Sequence, residues 1–178
     1  MIEKEEYQQI SRVHRRKDDA KRYYNHISVV YDWFGGIFER KPAEEALNNL
    51  KIENSETVLE IGFGTGHCLQ QIALSVSKTG KAYGIDISDG MLQVTRKKLE
   101  KAELMDRVEL YHGDASKLPF IDETFDAVFM SFTLELFDTP EIPQLLNEIK
   151  RVLKVGGSLG VASLSRIKGD SVALRTYE

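Results

Sequence analysis

Three glycines on alternate positions, Gly62, Gly64 and Gly66, follow the largely apolar stretch 58–61 and precede a helical pattern. A buried strand that runs into a glycine turn and then a helix N-terminus is a device for holding nucleotides. Glycine lets the backbone turn sharply and lets a ligand approach with no Cβ in the way. The unpaired N–H groups of the first helical turn then face that ligand. The plain alternative, a tight turn that happens to contain glycine, suits one such residue better than G-x-G-x-G between a strand and a helix. The spacing also narrows the ligand. The dinucleotide fingerprint G-x-G-x-x-G requires glycine at position 67, which here is His67. That residue argues against a nicotinamide-dependent oxidoreductase, which would use the same fold.

An acid beyond the turn fits the same picture. Asp86 closes the short apolar stretch 81–86, roughly twenty residues beyond the turn, where a carboxylate can accept hydrogen bonds from ribose hydroxyls. Helix capping is the competing role, and Ser88 is better placed for it, ahead of Met91, Leu92, Thr95, Leu99 and Ala102. Ribose is common to many nucleotides, so Asp86 alone does not choose between them.

Acidic Glu60 followed by G-x-G-x-G resembles motif I of the class I S-adenosylmethionine-dependent methyltransferases. Three further phrases in the expected order extend the resemblance over residues 24–164. Residues 24–32, with I-S-x-x-Y-D inside them, are similar to the segment before motif I in the menaquinone and ubiquinone C-methyltransferase-like group. G-D-A…L-P-F over 113–120 and L-K-V-G-G-S-L over 153–159 resemble later motifs. The resemblance implies S-adenosyl-L-methionine as cofactor. It implies that Tyr24 and Tyr31 lie near it, with Glu60, Gly62, Phe63, Gly64 and Gly66 in the glycine turn. Asp86, Ile87 and Met91 follow from the second strand, Asp114 and Ala115 from the G-D-A phrase, and Ser131 and Phe132 from the end of the fourth strand. An aspartate at 114 would accept the adenine amino proton while the next backbone N–H donates to the ring, so that the pair reads one edge of the base. An Asx-turn is the alternative role for Asp114.

The reaction so implied moves a methyl group from a sulfonium to a small-molecule nucleophile by in-line displacement. It needs positioning and a dry pocket more than covalent help. The aromatic run 23–38 would suit an active-site cover, since aromatic faces stabilise a sulfonium cation, or it packs on the core. No residue declares itself as a general base, and the catalytic residues stay unassigned. His26 and Glu135 are candidates for which a structural role competes. The quinone-precursor group carries Arg-Asn soon after the fourth strand, where this chain has Leu134-Glu135-Leu136. An acid in place of a cation would favour a cationic or amine acceptor. A non-catalytic protein that binds S-adenosylmethionine is the other open reading.

The elements that must position these residues alternate strand and helix. Strands are expected over 58–61, 81–86, 108–111, 125–132 and 158–163, with helices after the glycine turn, after Ser88 and over 141–153. This predicts an α/β, doubly wound, Rossmann-like and mostly parallel sheet. Pro42 marks the expected start of a helix to Leu50. Residues 1–41 would form a helical and aromatic cover segment and 42–178 the S-adenosylmethionine-binding domain. The superfamily's C-terminal hairpin strands find no room, and 171–178 reads as the start of a helix. The fifth strand would then keep a bare edge, from truncation of the chain or because a second copy pairs with it as a homodimer.

Composition sets outer bounds. At 178 residues and 42% hydrophobic content, one domain with a sizeable core is expected. A net charge of −4 with mixed signs provides no basic field for nucleic acid, and the cluster His14-Arg15-Arg16-Lys17 is read as a solvated helix face. The single cysteine, Cys68, excludes an internal disulfide, and neither it nor His67 has a partner at metal-ligand spacing. With no signal-peptide pattern and no apolar run of membrane-spanning length, a cytoplasmic protein is expected.

Overall fold

The computed structural model describes residues 36–77, 79–166 and 172–177. Tyr24, Tyr31 and His26, and with them most of the aromatic run and the basic cluster, lie outside the described residues. In chain order the elements are α1 (Gly36–Asn49), β1 (Thr57–Ile61), α2 (His67–Ser75), β2 (Lys81–Asp86), α3 (Asp89–Lys101), β3 (Val108–His112), β4 (Phe125–Ser131), α4 (Ile142–Val152), β5 (Leu153–Arg166) and β6 (Val172–Tyr177). They form one sheet of order β3-β2-β1-β4-β5-β6. The five strands β1 to β5 are mutually parallel, as the strand–helix alternation predicts.

Side chains alternate across a strand, so each strand of a sheet covered on both faces must be apolar on both. Val58 and Phe129 pack on one face, with Leu69, Ile72 and Val76 from the α2 region and Leu99 from α3. Leu59, Ile61, Val128 and Met130 fill the other, against Leu145, Ile149 and Val152 of α4. Each of these buried side chains contributes about 1.5–3 kcal/mol, which outweighs any surface pair in holding helix to sheet. The sheet winds outward from β1 in one direction and from β4 in the other. That reversal opens a crevice at the carboxyl ends of β1 and β4, where ligands of open α/β sheets bind.

Four sequence expectations are corrected here. Helix α1 begins at Gly36 and carries Pro42 inside it rather than at its start. Inside a helix, proline removes one intrahelical hydrogen bond and its ring crowds the carbonyl four residues back. Strand β5 begins at Leu153 rather than Ser158. Residues Lys154, Val155, Gly156 and Gly157 form a bulge between the pairs Phe125↔Leu153 and Ala127↔Ser158, with Gly156 at φ 83°. The helix predicted over 141–153 gives up both ends, Glu141 to a short 3-10 turn and Leu153 to the strand. Last, 172–177 is strand rather than helix: β6 pairs antiparallel with Val161–Arg166. An open strand edge offers a row of backbone donors and acceptors, and Val172, Thr176 and Tyr177 are good strand formers. No helix among the described residues is long and apolar enough to cross a membrane.

Candidate functional site

The glycine turn has three left-handed residues in alternation, Gly62 at φ 72°, Gly64 at φ 51° and Gly66 at φ 76°. Their reasons differ. A Cβ on Gly62 would lie 2.3 Å from Thr133 Oγ1, and one on Gly66 2.5 Å from Thr95 Cγ2, whereas one on Gly64 would meet nothing within 4 Å. Gly62 and Gly66 therefore let the turn pack on the loop after β4 and on α3. Gly64 leaves the turn open to a ligand. Its peptide is held from both sides: its N–H donates to Asp86 Oδ2 (2.9 Å), and its carbonyl accepts from Thr95 Oγ1 (2.8 Å).

One cavity gathers the residues the sequence singled out. From β1 and the turn it is lined by Glu60, Gly62, Phe63 and Gly64; from β2 and α3, by Asp86, Ile87 and Met91. Asp114, Ala115, Ser131 and Phe132 complete that wall. Gly66 is the exception among the described candidates and serves helix packing instead.

Glu60 is the most unusual of these. It is 1% exposed, and its Oε2 meets no hydrogen-bond partner. Burial, and then the charge of Asp86, push its carboxyl well above the usual carboxylate range. Asp86 is also buried, and burial raises its pKa too. The backbone N–H groups of Ser88 (to Oδ1, 2.8 Å) and Gly64 (to Oδ2) counter that effect. Capping of α3 falls to Ser88, which accepts from the Met91 N–H at 3.2 Å. Ile87 is held by its carbonyl, which His112 Nε2 meets at 3.0 Å.

Asp114 takes the Asx-turn role and a place on the cavity wall at once. Its Oδ1 accepts the Ser116 N–H at 2.9 Å. At the end of β4, Phe132 sits at φ 50°, a strained conformation for a bulky residue and one that collects at functional sites. Thr133 behind it donates to the Ser131 carbonyl at 2.9 Å.

Glu135 does not face this cavity. Its Oε2 meets Ser163 Oγ at 3.0 Å and its Oε1 accepts the Leu164 N–H at 3.3 Å, so it ties the turn after β4 to β5. These bonds give Glu135 the structural role that competed with facing the acceptor.

Some lining residues escaped sequence reasoning. Glu39, Arg40 and Ala43 reach the cavity from α1, whose early start no signal announced. His67 and Cys68, read as ordinary helix residues, also line it. The His67 ring meets Glu44 at 2.7 Å and so joins α1 to the start of α2. The Cys68 thiol is pushed up chiefly by its burial, which disfavours the thiolate. Thr133, Leu136 and Phe137 extend the wall past β4, where the position at a strand's carboxyl end was the available signal.

Residues 58–157 match the family model described as a methyltransferase domain, which covers more than half of the chain. A demethylmenaquinone methyltransferase from Listeria welshimeri is 32% identical over 155 residues, spanning 85% of this chain and 64% of that protein. One from Bacillus mycoides is 36% identical over 140 residues, 76% of this chain and 58% of that protein. The chain thus spans about three fifths of the length of these relatives. Among solved structures, a SAM dependent methyltransferase from Aquifex aeolicus superposes with a TM-score of 0.69 at 29% identity, covering 83% of this chain and 76% of that one. With this match, this fold and this arrangement of motifs, the chain belongs to the methyltransferase-domain family and resembles its demethylmenaquinone methyltransferases.

Proposed function

We propose that the protein is an S-adenosylmethionine-dependent methyltransferase acting on a small-molecule acceptor. The observation that carries this reading is the unpartnered, fully buried Glu60 oxygen on the wall of a cavity built around an open Gly64. A buried carboxylate without a partner is costly, and a cationic ligand group relieves that cost. The amino acid end of S-adenosylmethionine carries an ammonium and suits Glu60. Asp86 keeps acceptor capacity for a ribose hydroxyl beyond the bonds from the Gly64, Ile87 and Ser88 backbone. Asp114 and the Ala115 N–H suit the amino edge of adenine.

S-adenosylmethionine would supply a methyl group on an already activated sulfonium. The chain's contribution is to hold donor and acceptor in line and to keep water out, which accounts for the apolar wall of Phe132, Leu136 and Phe137. With Glu135 tied to β5, the sequence reason for a cationic acceptor falls away. The relatives' names then favour a quinol-type aromatic acceptor methylated on carbon, with the acceptor's proton leaving to solvent or to a base. Tyr24 and Tyr31 belong, in this reading, to a cover contributed by residues 1–41.

Calorimetric titration with S-adenosylmethionine, S-adenosylhomocysteine and NADH tests the cofactor. Micromolar binding of the two sulfur nucleotides without NADH is expected, and a preference for NADH would overturn the reading. Mass-spectrometric detection of a methylated quinol or amine then decides the acceptor. Binding without transfer to any acceptor would favour a non-catalytic role.

A further inference from the structure

The turn that carries Asp114 and Ala115 onto the cavity wall is gripped from outside by α4. Gln144, Glu148 and Arg151 recur at i, i+4 and i+7 and so share one face of that helix, beside the face of Leu145, Ile149 and Val152 that packs on the sheet. Gln144 Nε2 donates to the Ser116 carbonyl at 2.9 Å. Glu148 Oε2 accepts the Leu118 N–H at 2.8 Å. Arg151 donates to the Leu118 carbonyl at 3.1 Å and to the Phe120 carbonyl at 2.7 Å. The grip is itself braced. Arg151 meets Glu148 through both Nε (2.9 Å) and Nη2 (2.7 Å), a forked pair, and reaches Asp122 at 2.9 Å.

Asp114 and Lys117 form a closed unit with Ser116 between them. Asp114 accepts the Ser116 N–H on its side chain and the Lys117 N–H on its carbonyl (3.1 Å). Held at Ser116 and Leu118, that unit is tied to α4. The apolar anchor Leu118 would keep the loop attached without these bonds, since it is 4% exposed. Burial is non-directional, however, whereas a fork of hydrogen bonds to backbone groups sets an orientation.

We propose that Gln144, Glu148 and Arg151 are positioning residues that orient the 114–118 turn to select a 6-aminopurine at the nucleobase end of the cavity. This rests on the reading of the cavity as an adenosyl site. A purely structural clamp would lower the melting temperature and weaken every ligand alike. An orienting clamp instead changes the ratio between ligands that differ only at the base edge.

The test compares S-adenosylhomocysteine with its 6-oxo analogue, S-inosylhomocysteine, by calorimetry, well below each variant's melting temperature. The wild type is expected to prefer the amino compound by about tenfold or more. Arg151→Lys, which keeps the charge and loses the fork, should erode that preference severalfold. Gln144→Ala should do so to a lesser degree, and because Gln144 is exposed this variant remains informative if Arg151→Lys does not fold. Both variants keeping the wild-type preference, even with lowered melting temperatures, would overturn the proposal. So would a wild type that binds both ligands equally, since the turn would then not read the base. A wild type that binds neither ligand overturns the adenosyl reading itself and the clamp's role with it.

Discussion

Glu60 carries a carboxylate into a place where one of its oxygens meets no partner, and two opposite consequences follow. Its pKa is raised in the folded state. The stability it contributes is therefore fully present below its unfolded value of about 4.3 and lost as pH rises through the folded value. Glu60→Gln removes that pH dependence. The variant's stability relative to wild type should rise by about 1 kcal/mol or more between pH 5 and pH 8, measured by urea unfolding of the unliganded proteins. Its affinity for S-adenosylmethionine should fall about tenfold or more. Equal stability changes at both pH values would sink the assignment of Glu60 as a strained, ligand-directed acid. The glycines divide in the same way. Gly64→Ala carries only backbone strain, about 1–2 kcal/mol, and should lose ligand affinity. Gly66→Ala adds a collision with Thr95 and should lose distinctly more stability, readable as a larger drop in melting temperature.

At the scale of elements, the loop after β4 shows how a residue's type can mislead. An acid at a strand's carboxyl end has the credentials of a catalytic group, yet Glu135 spends both oxygens on β5. Glu135→Ala should cost about 1 kcal/mol in thermal unfolding and leave S-adenosylhomocysteine affinity within about twofold. An affinity loss far beyond the stability loss would return Glu135 to the site. Helix α1 makes the complementary case. A link to α2 runs through the Glu44–His67 pair, two side chains to which the sequence assigned no partner. No local pattern forecasts a partner brought near by the fold.

Over the whole molecule, charge and topology meet at Asp126, which spans three strands. Its side chain accepts from the Thr57 N–H at 2.8 Å at the start of β1 and from Lys154 at 2.8 Å at the start of β5. Burial pushes its pKa up, but the Lys154 and Thr57 hydrogen bonds outweigh this and hold it below the usual range. Glu148 is held low as well, first by its hydrogen bonds with Arg151. For both acids the contribution to stability is present above the unfolded values of about 3.9 and 4.3 and lost as pH falls through the folded values. Asp126→Asn should therefore be less stable than wild type at neutral pH, by about 1 kcal/mol. The gap should narrow towards pH 3 in denaturant titrations across that range. A gap that stays constant down to pH 3 would mean that the carboxylate's charge plays no part.

The amino-acid sequence by itself determined the parallel α/β sheet, its central strands and about half of the residues that line the described cavity. The sheet and the turn rest on local physics: apolar runs that must be buried on both faces, a glycine turn between strand and helix, and acids at strand ends. Most of the cavity residues rest instead on the motifs' resemblance to a known family. Tertiary structure alone decided which glycine leaves the turn open and which serve packing, because that depends on Thr133 and Thr95, far away in the chain. It decided that Glu135 is a tie and that 172–177 pairs as β6, because both are set by the edge and the side chains that β5 presents. It also decided that α4 grips the 114–118 turn. Helical spacing puts Gln144, Glu148 and Arg151 on one face, but only the docked helix shows which backbone groups that face meets.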